Sequence, residues 1–265
     1  MSGSLQRIYA LVLRHIYLWR SSVMRLVDSI YWPAVQMVMW GFMTQYLLPQ
    51  ASFVAQAAGV LLSGLLLWEV VVRGNLSLSI AFLEEIWSRN LGHLFVSPIR
   101  SWELAAGIII ASLLRTLLGM IPVSLMAWAF FGYSIYTLGL PLLAFFVILQ
   151  MFSWSIGLAM SGLVMRVGQS AESFAWAAVF VLMPVSGVYY PITVLPHWLQ
   201  VVAWGLPPAY IFEGMRSIML EKTVHWDMLG LAFGLSAVYL VIGFQVFQWF
   251  FRSSRRAGSL LGQGE

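Results

Sequence analysis

The chain has 265 residues, 61% hydrophobic and 9% charged, with a mean hydropathy of +0.86. Soluble globular domains carry about a quarter of their residues as charges, so these values exclude a soluble enzyme and describe a protein lying almost wholly in membrane. The absence of cysteine excludes disulfides and thiolate metal sites, and the net charge of +4 is informative only through where the basic residues fall.

In chain order, the first predicted element is an amphipathic helix over 4–28. At about 100° per residue, Arg7, Arg14, Ser21 and Arg25 share one narrow sector, flanked by Ser22 and Asp28, while most of Ile8, Leu11, Val12, Ile16, Trp19, Val23 and Val27 point elsewhere. Such a helix lies on the inner membrane surface, as a basic anchor on anionic headgroups, as a face for a protein partner, or as both. Four arginines interrupt Leu5 to Val27 and no small-residue cleavage site follows, which argues against a secretory signal.

The membrane spans follow from where charge is missing. No Asp, Glu, Lys or Arg occurs over 29–68, 116–165, 173–212 or 228–251. Leu48-Pro49-Gln50 divides the first of these stretches, and Gly132-Tyr133-Ser134 with Leu138-Gly139-Leu140-Pro141 divides the second, because backbone in hydrocarbon must be bonded within helices. The expectation is an all-α polytopic protein with six transmembrane helices, at 31–48, 54–80, 104–131, 139–165, 173–190 and 228–251, and both termini on one side. Arg7, Arg14, Arg20, Arg25, Arg89, Arg100, Arg166, Arg252, Arg255 and Arg256 fall on that side, against Arg216 and Lys222 on the other. The positive-inside rule therefore places both termini in the cytoplasm, with the chain in the plasma membrane, the inner membrane of a bacterium.

Within the spans, Glu69 and Arg73 stand four residues apart and can pair along one helix face, which lowers the cost of each charge. Arg115 lies about a dozen residues into the third span, with no acid within a turn. An interhelical Glu69/Arg115 contact shared with Arg73 is expected, either lining a substrate path or bracing it. Gln36, Thr44, Gln45, Ser63, Gln150, Ser153, Ser155, Ser161 and Gln245 read as polar groups that bind neighbouring helices, and Gly230-x-x-x-Gly234 as packing chemistry.

The loop over 84–103 mixes charge with Leu91, Leu94 and Phe95 at helical spacing and stops at Ser97-Pro98. It reads as a short amphipathic helix, either a membrane-surface connector or an element that docks in a groove of a soluble partner. Beyond the fifth span, Pro184, Pro191, Pro196, Pro207 and Pro208 interrupt a stretch that remains apolar. A straight helix does not absorb five prolines, so a broken, partly re-entrant segment is expected, with the outer segment and its loop covering 191–227. Broken backbone at membrane depth points to a gate.

The sole lysine, in Glu221-Lys222-Thr223, has no glycine loop before it, which excludes a P-loop ATPase. His15, His93, His197 and His225 form no ligand-spaced pair, so no metal site is expected. No catalytic residue, no cofactor bound by this chain and no nucleic-acid partner is expected; membrane lipid is.

In this combination the chain resembles the permease subunits of type-2 ABC exporters, over essentially its whole length. The features that carry the resemblance are the amphipathic N-terminal helix, the acidic stretch followed by Leu94-Phe95-Val96-Ser97-Pro98 and Glu103, and the run Pro184-Val185-Ser186-Gly187-Val188-Tyr189-Tyr190-Pro191. They continue through Leu195-Pro196-x-x-Leu199, Pro207-Pro208 and Glu213-Gly214-x-Arg216. Arg89-Asn90 departs from the Gly-Thr of many relatives.

The resemblance implies a half-transporter whose dimer, expected to be a homodimer, forms the translocation path. Two separately encoded cytoplasmic ATPase subunits would bind it, holding ATP and Mg themselves. It implies a coupling helix at about 86–97, with Glu85, Arg89, Asn90, His93, Leu94, Phe95, Ser97 and Pro98 as the ATPase-coupling residues, and an N-terminal helix carrying Arg7, Arg14 and Arg25 that also touches the ATPase. It implies an outer gate that includes Ser186, Gly187, Tyr189, Tyr190, Pro191, Pro196, Glu213 and Arg216. The cargo implied is amphipathic, lipid-linked, drug-like or a glycan. An ATPase-independent channel, scramblase or secondary transporter is the alternative the residues leave open.

Overall fold

The computed structural model describes residues 3–47, 52–87, 98–168 and 171–257, and among these every regular element is helical. In order they are α1 (Gly3–Arg20), α2 (Val23–Leu47), α3 (Ser52–Trp87), α4 (Ser101–Phe131), α5 (Leu140–Val167), α6 (Ala171–Val185), α7 (His197–Trp204), α8 (Pro207–Glu221) and α9 (Trp226–Ala257). Short 3-10 turns lie at Ile135–Leu138 and Ile192–Val194. Four of the described helices are long and apolar enough to cross a bilayer, over Gly59–Glu84, Ser101–Phe131, Leu140–Arg166 and Trp226–Ser254. α6 adds the shorter apolar stretch Glu172–Val185.

The helix expected over 4–28 is two helices. α1 stops at Arg20; the Ser21 N–H bonds Tyr17 O at 2.9 Å and its hydroxyl bonds Leu18 O at 2.9 Å. Serine competes locally for backbone partners and so favours a break at Ser21-Ser22. α2 then begins at Val23, eight residues before the first expected span, and takes Arg25 with it. α3 runs on to Trp87, past its expected end at 80 and into the expected 84–103 loop, and α6 ends at Val185 rather than 190, with Pro184 in its last turn and Gly187 turning the chain at φ +64°.

Pro33 sits inside α2 and has no N–H to offer Ser29 O, its partner one turn back. That carbonyl instead faces α4 at Gly119, where an added Cβ would lie 2.8 Å from it. The missing side chain is what lets α2 and α4 close together at this level. α4 ends in a left-handed Gly132 (φ +63°), with Tyr133 N–H bonding Ala127 O at 3.2 Å and Gly132 N–H bonding Trp128 O at 3.0 Å. This double closure satisfies carbonyls that a helix end otherwise leaves bare.

Contacts along the helices give their directions. α2 and α4 run parallel, since Ser29 meets Gly119 and Gly41 meets Phe131 twelve residues further along each. α3 runs against α4: Ser112 Oγ donates to Gly74 O, and Ser63 bonds the hydroxyl of Tyr133 beyond the end of α4. α5 and α9 run parallel in fixed register, with Ser236 Oγ donating to Ile148 O and Ser254 Oγ to Met165 O, pairs 88 and 89 positions apart. Within that interface a Cβ on Gly243 would fall 2.8 Å from Ser155 Cα. Gly230 and Gly234, expected as packing residues, meet nothing within 4 Å in this chain; Gly243 has that role in α9. α3 is the central helix, with 89% of its apolar stretch buried against 22% for α9.

Candidate functional site

Glu69, Arg73 and Arg115 come together on the wall of one cavity of about 390 Å³. α3 supplies its floor with Leu65, Trp68, Glu69, Val72, Arg73 and Leu76, α2 one side with Trp32 and Gln36, and α6 the other with Trp176, Phe180 and Met183. Arg115 enters from α4, and Tyr189 closes one end with its ring stacked on Trp40, centroids 4.7 Å apart. The three charged residues are each at most 8% exposed, whereas Trp32 and Phe180 are 56% and 62% exposed. The charges therefore lie deep and the aromatic rings form the rim, between α2 and α6.

Within the cavity the expected cluster of Glu69, Arg73 and Arg115 makes two bonds. Glu69 Oε2 accepts from Arg73 Nε at 3.4 Å, while Arg115 Nε donates to Ser29 Oγ at 3.4 Å. The Ser112–Gly74 bond fixes α4 against α3, and at about 1.5 Å per residue it sets Arg115 level with residue 71, between Glu69 and Arg73. The Ser29 hydroxyl is itself held by donating to Arg25 O at 2.9 Å.

At the end of the molecule beyond Tyr189, the expected gate residues form a staple. Arg216, 6% exposed on α8, donates from Nη1 to Gly187 O at 2.8 Å and from Nε to Glu213 Oε2 at 3.2 Å. Glu213 Oε1 accepts the Ile192 N–H at 2.7 Å. Two side chains one turn apart thus hold both ends of the 187–192 loop. Tyr190 donates its hydroxyl to Pro184 O at 2.6 Å, and the Ser186 hydroxyl donates to Leu182 O at 2.7 Å. Pro191 and Pro196 are exposed; each directly precedes a short helical element.

At the opposite end, Arg7 on α1 makes a two-pronged ion pair with Glu103 on α4, Nε to Oε2 at 2.9 Å and Nη2 to Oε1 at 2.7 Å. The bond to Glu103 holds the Arg7 guanidinium above its already high ordinary pKa. Glu103 Oε2 also accepts the Arg100 N–H at 3.0 Å, so the same carboxylate caps α4 and anchors α1. Leu11, His15 and Trp19 form the buried stripe of α1, on which Arg14 is half-buried. Arg25 Nε lies 3.7 Å from Glu84 Oε1, joining the start of α2 to the end of α3. Arg89, Asn90, His93, Leu94, Phe95 and Ser97 lie outside the described residues, as does the side chain of Glu85; Pro98 is exposed.

Residues 9–220 match the family model of the ABC-2 type transporter. The chain belongs to this family, whose members are the permease components of ABC-2 transporters. The matched stretch begins in α1 and ends in α8, so the cavity and the staple fall inside it, as does Glu103, while Arg7 lies two residues before it. No curated protein matches the chain. An ABC-2 permease is not itself the catalytic component.

Sequence reasoning missed several residues of the permease's cavity. Trp32, Trp68, Trp176 and Phe180 pass for membrane-anchoring or core aromatics when read singly, and Gln36 for helix glue. The Ser29–Arg115 bond, between side chains 86 residues apart, carried no readable signal. The Arg7–Glu103 pair, 96 residues apart, carried none.

Proposed function

We propose that this permease is the membrane half of an ATP-driven exporter, with the Glu69/Arg73/Arg115 cavity as part of its translocation path and a separate cytoplasmic ABC ATPase as its motor. Three buried charges around a cavity walled by apolar helices carry this reading, because ionisable side chains at membrane depth are costly and mark substrate paths. Six helices of alternating direction, α2, α3, α4, α5, α6 and α9, give six crossings with both termini cytoplasmic, and the run from α7 to α8 is the re-entrant outer segment. The basic end of the bundle faces the ATPase in the inner membrane. α1 and the 86–97 stretch receive the motor's movement there, and the Arg7–Glu103 pair passes it to α4.

A second copy of the chain closes the cavity's mouth. In one copy alone, the mouth between α2 and α6 opens sideways, flanked by exposed Tyr31, Met39, Phe42, Phe174 and Val181. Buried charges reachable from lipid through that mouth are costly, and a partner's helices covering it remove that cost.

The test is co-expression with the cognate ATPase, followed by purification in detergent. The two chains are expected to copurify, and the permease to change the ATPase rate. Failure to associate and an unchanged rate would overturn the proposal. Ion conduction or lipid flipping by the permease reconstituted alone would support the ATPase-independent channel or scramblase instead.

A further inference from the structure

We propose that Gln150 on α5 and Asn75 on α3 form a latch for a second packing of these helices, joined by a hydrogen bond in the state of the permease that opens outward. This rests on the reading of the permease as a conduit moved between two states. Both side chains are buried, 1% and 0% exposed. Among the described residues neither the oxygen nor the nitrogen of the Gln150 amide has a hydrogen-bond partner, and Asn75 Oδ1 has none either. A buried amide without partners is costly, and the great majority of such groups in folded proteins are bonded. Here a spare donor and a spare acceptor lie against one step of α3. Gln150 Nε2 is 3.0 Å from where a Cβ on Gly74 would stand, and Asn75 is the next residue.

The present register keeps the two amides apart. Asn75 donates from Nδ2 to Ala175 O at 3.0 Å, which turns it toward α6, while Gln150 lies over Gly74. So deeply buried, neither side chain has room to swing to the other, and they meet only when α3 and α5 move. The seam between the helices permits that movement. Gly74 sits under Ser153, whose Cβ would lie 2.8 Å from one on the glycine, and Gly157 sits at the same distance under Leu78 Cβ, so neither glycine interlocks with the facing helix. Successive residues of α3 are about 100° apart, and rotation by part of that angle carries Asn75 toward the face that Gly74 now holds. The Asn75–Ala175 bond is given up in exchange, so the present packing holds until the motor acts. Glu69 and Arg73 ride on the same helix, and the rotation therefore reshapes the cavity floor. α3 runs unbroken to Trp87, beside the stretch that receives the motor's movement in the proposed mechanism. Packed helices have discrete arrangements, and a bond available in one of two arrangements biases the equilibrium toward it.

The first arm of the experiment uses the full chain alone in detergent, so it decides the inference whether or not the ATPase copurifies. Gln150→Met keeps the volume and removes the spare amide, and the unfolding temperature is expected to rise by about 2–4 °C. A fall or an unchanged temperature means that the amide is bonded in this packing, and overturns the inference. The second arm uses membranes holding the permease with its ATPase trapped with nucleotide. It reads the rate at which an impermeant maleimide labels Gln36→Cys, on the cavity wall, from the outer side. Gln150→Met is expected to slow that rate about tenfold, the effect of one hydrogen bond lost from the outward state. Adding Asn75→Leu should slow it no further, because the bond it would break is already gone. A merely structural residue would lower both readouts together, whereas here stability rises and outward labelling falls. A labelling rate that Gln150→Met leaves unchanged, or a further fall in the double variant, overturns the latch.

Discussion

Glu69 and Arg73 share one turn of a buried helix, and neither charge is stable there without the other. Removing one partner of a buried pair leaves an uncompensated charge, so Glu69→Gln and Arg73→Gln should each lower thermal stability in detergent. The double variant should lose less than the sum, with a coupling of about 0.5–3 kcal/mol. Additive losses would show that the pair is not coupled. This contact was legible in the sequence because both residues lie on one helix, where spacing alone fixes proximity. The Ser29–Arg115 bond was not legible, because it depends on how α2 and α4 slide past one another, and that is set by Pro33 and Gly119. Arg216 shows the same limit: Glu213 could be read from three residues away, but the bond to Gly187 O spans 29 positions. Arg216→Gln should cost about 1.5–3 kcal/mol, the value of a hydrogen bond to a charged group, read as a drop in unfolding temperature. An unchanged temperature would mean that the 187–192 loop is held by its apolar contacts alone.

At the scale of elements, the charge-free stretches located the long helices well, because the cost of charge in hydrocarbon acts on every residue of a span. Gly132 and Gly139 correctly marked the turn between α4 and α5, since left-handed backbone there requires them. The α1–α2 break was missed because Ser21 and Ser22 sit inside an otherwise continuous amphipathic pattern, and periodicity does not report a backbone bond to Leu18 O. Glycine pairing misled for a related reason. Small residues four apart permit close packing without saying what packs, and the neighbour of α9 along its length is α5 at Gly243. Gly243→Leu should separate α5 from α9 and destabilise the chain by about 1–3 kcal/mol, the usual cost of overpacking, whereas Gly230→Ala should be neutral within about 0.5 kcal/mol. Equal tolerance of both substitutions in thermal unfolding would contradict the packing described.

For the whole molecule, the fold joins two ends through one cavity. α1 is pinned to α4 by Arg7 and Glu103 at the basic end, the staple of Glu213 and Arg216 closes the other, and the charged cavity lies between them on α3. The meeting of Glu69, Arg73 and Arg115 was expected from the sequence, whereas the Arg7–Glu103 pair and the aromatic wall were not, because they require α1, α2, α4 and α6 to be packed first. The chain contains no cysteine, so Gln36→Cys on the cavity wall provides a single reporter for an impermeant maleimide. The decisive measurement is labelling of that residue in membranes holding the permease with its ATPase. The account predicts labelling from the cytoplasmic side without ATP, and from the outer side when the ATPase is trapped with nucleotide. Labelling from the same side in both states, or none in either, would contradict a conduit moved by a separate motor.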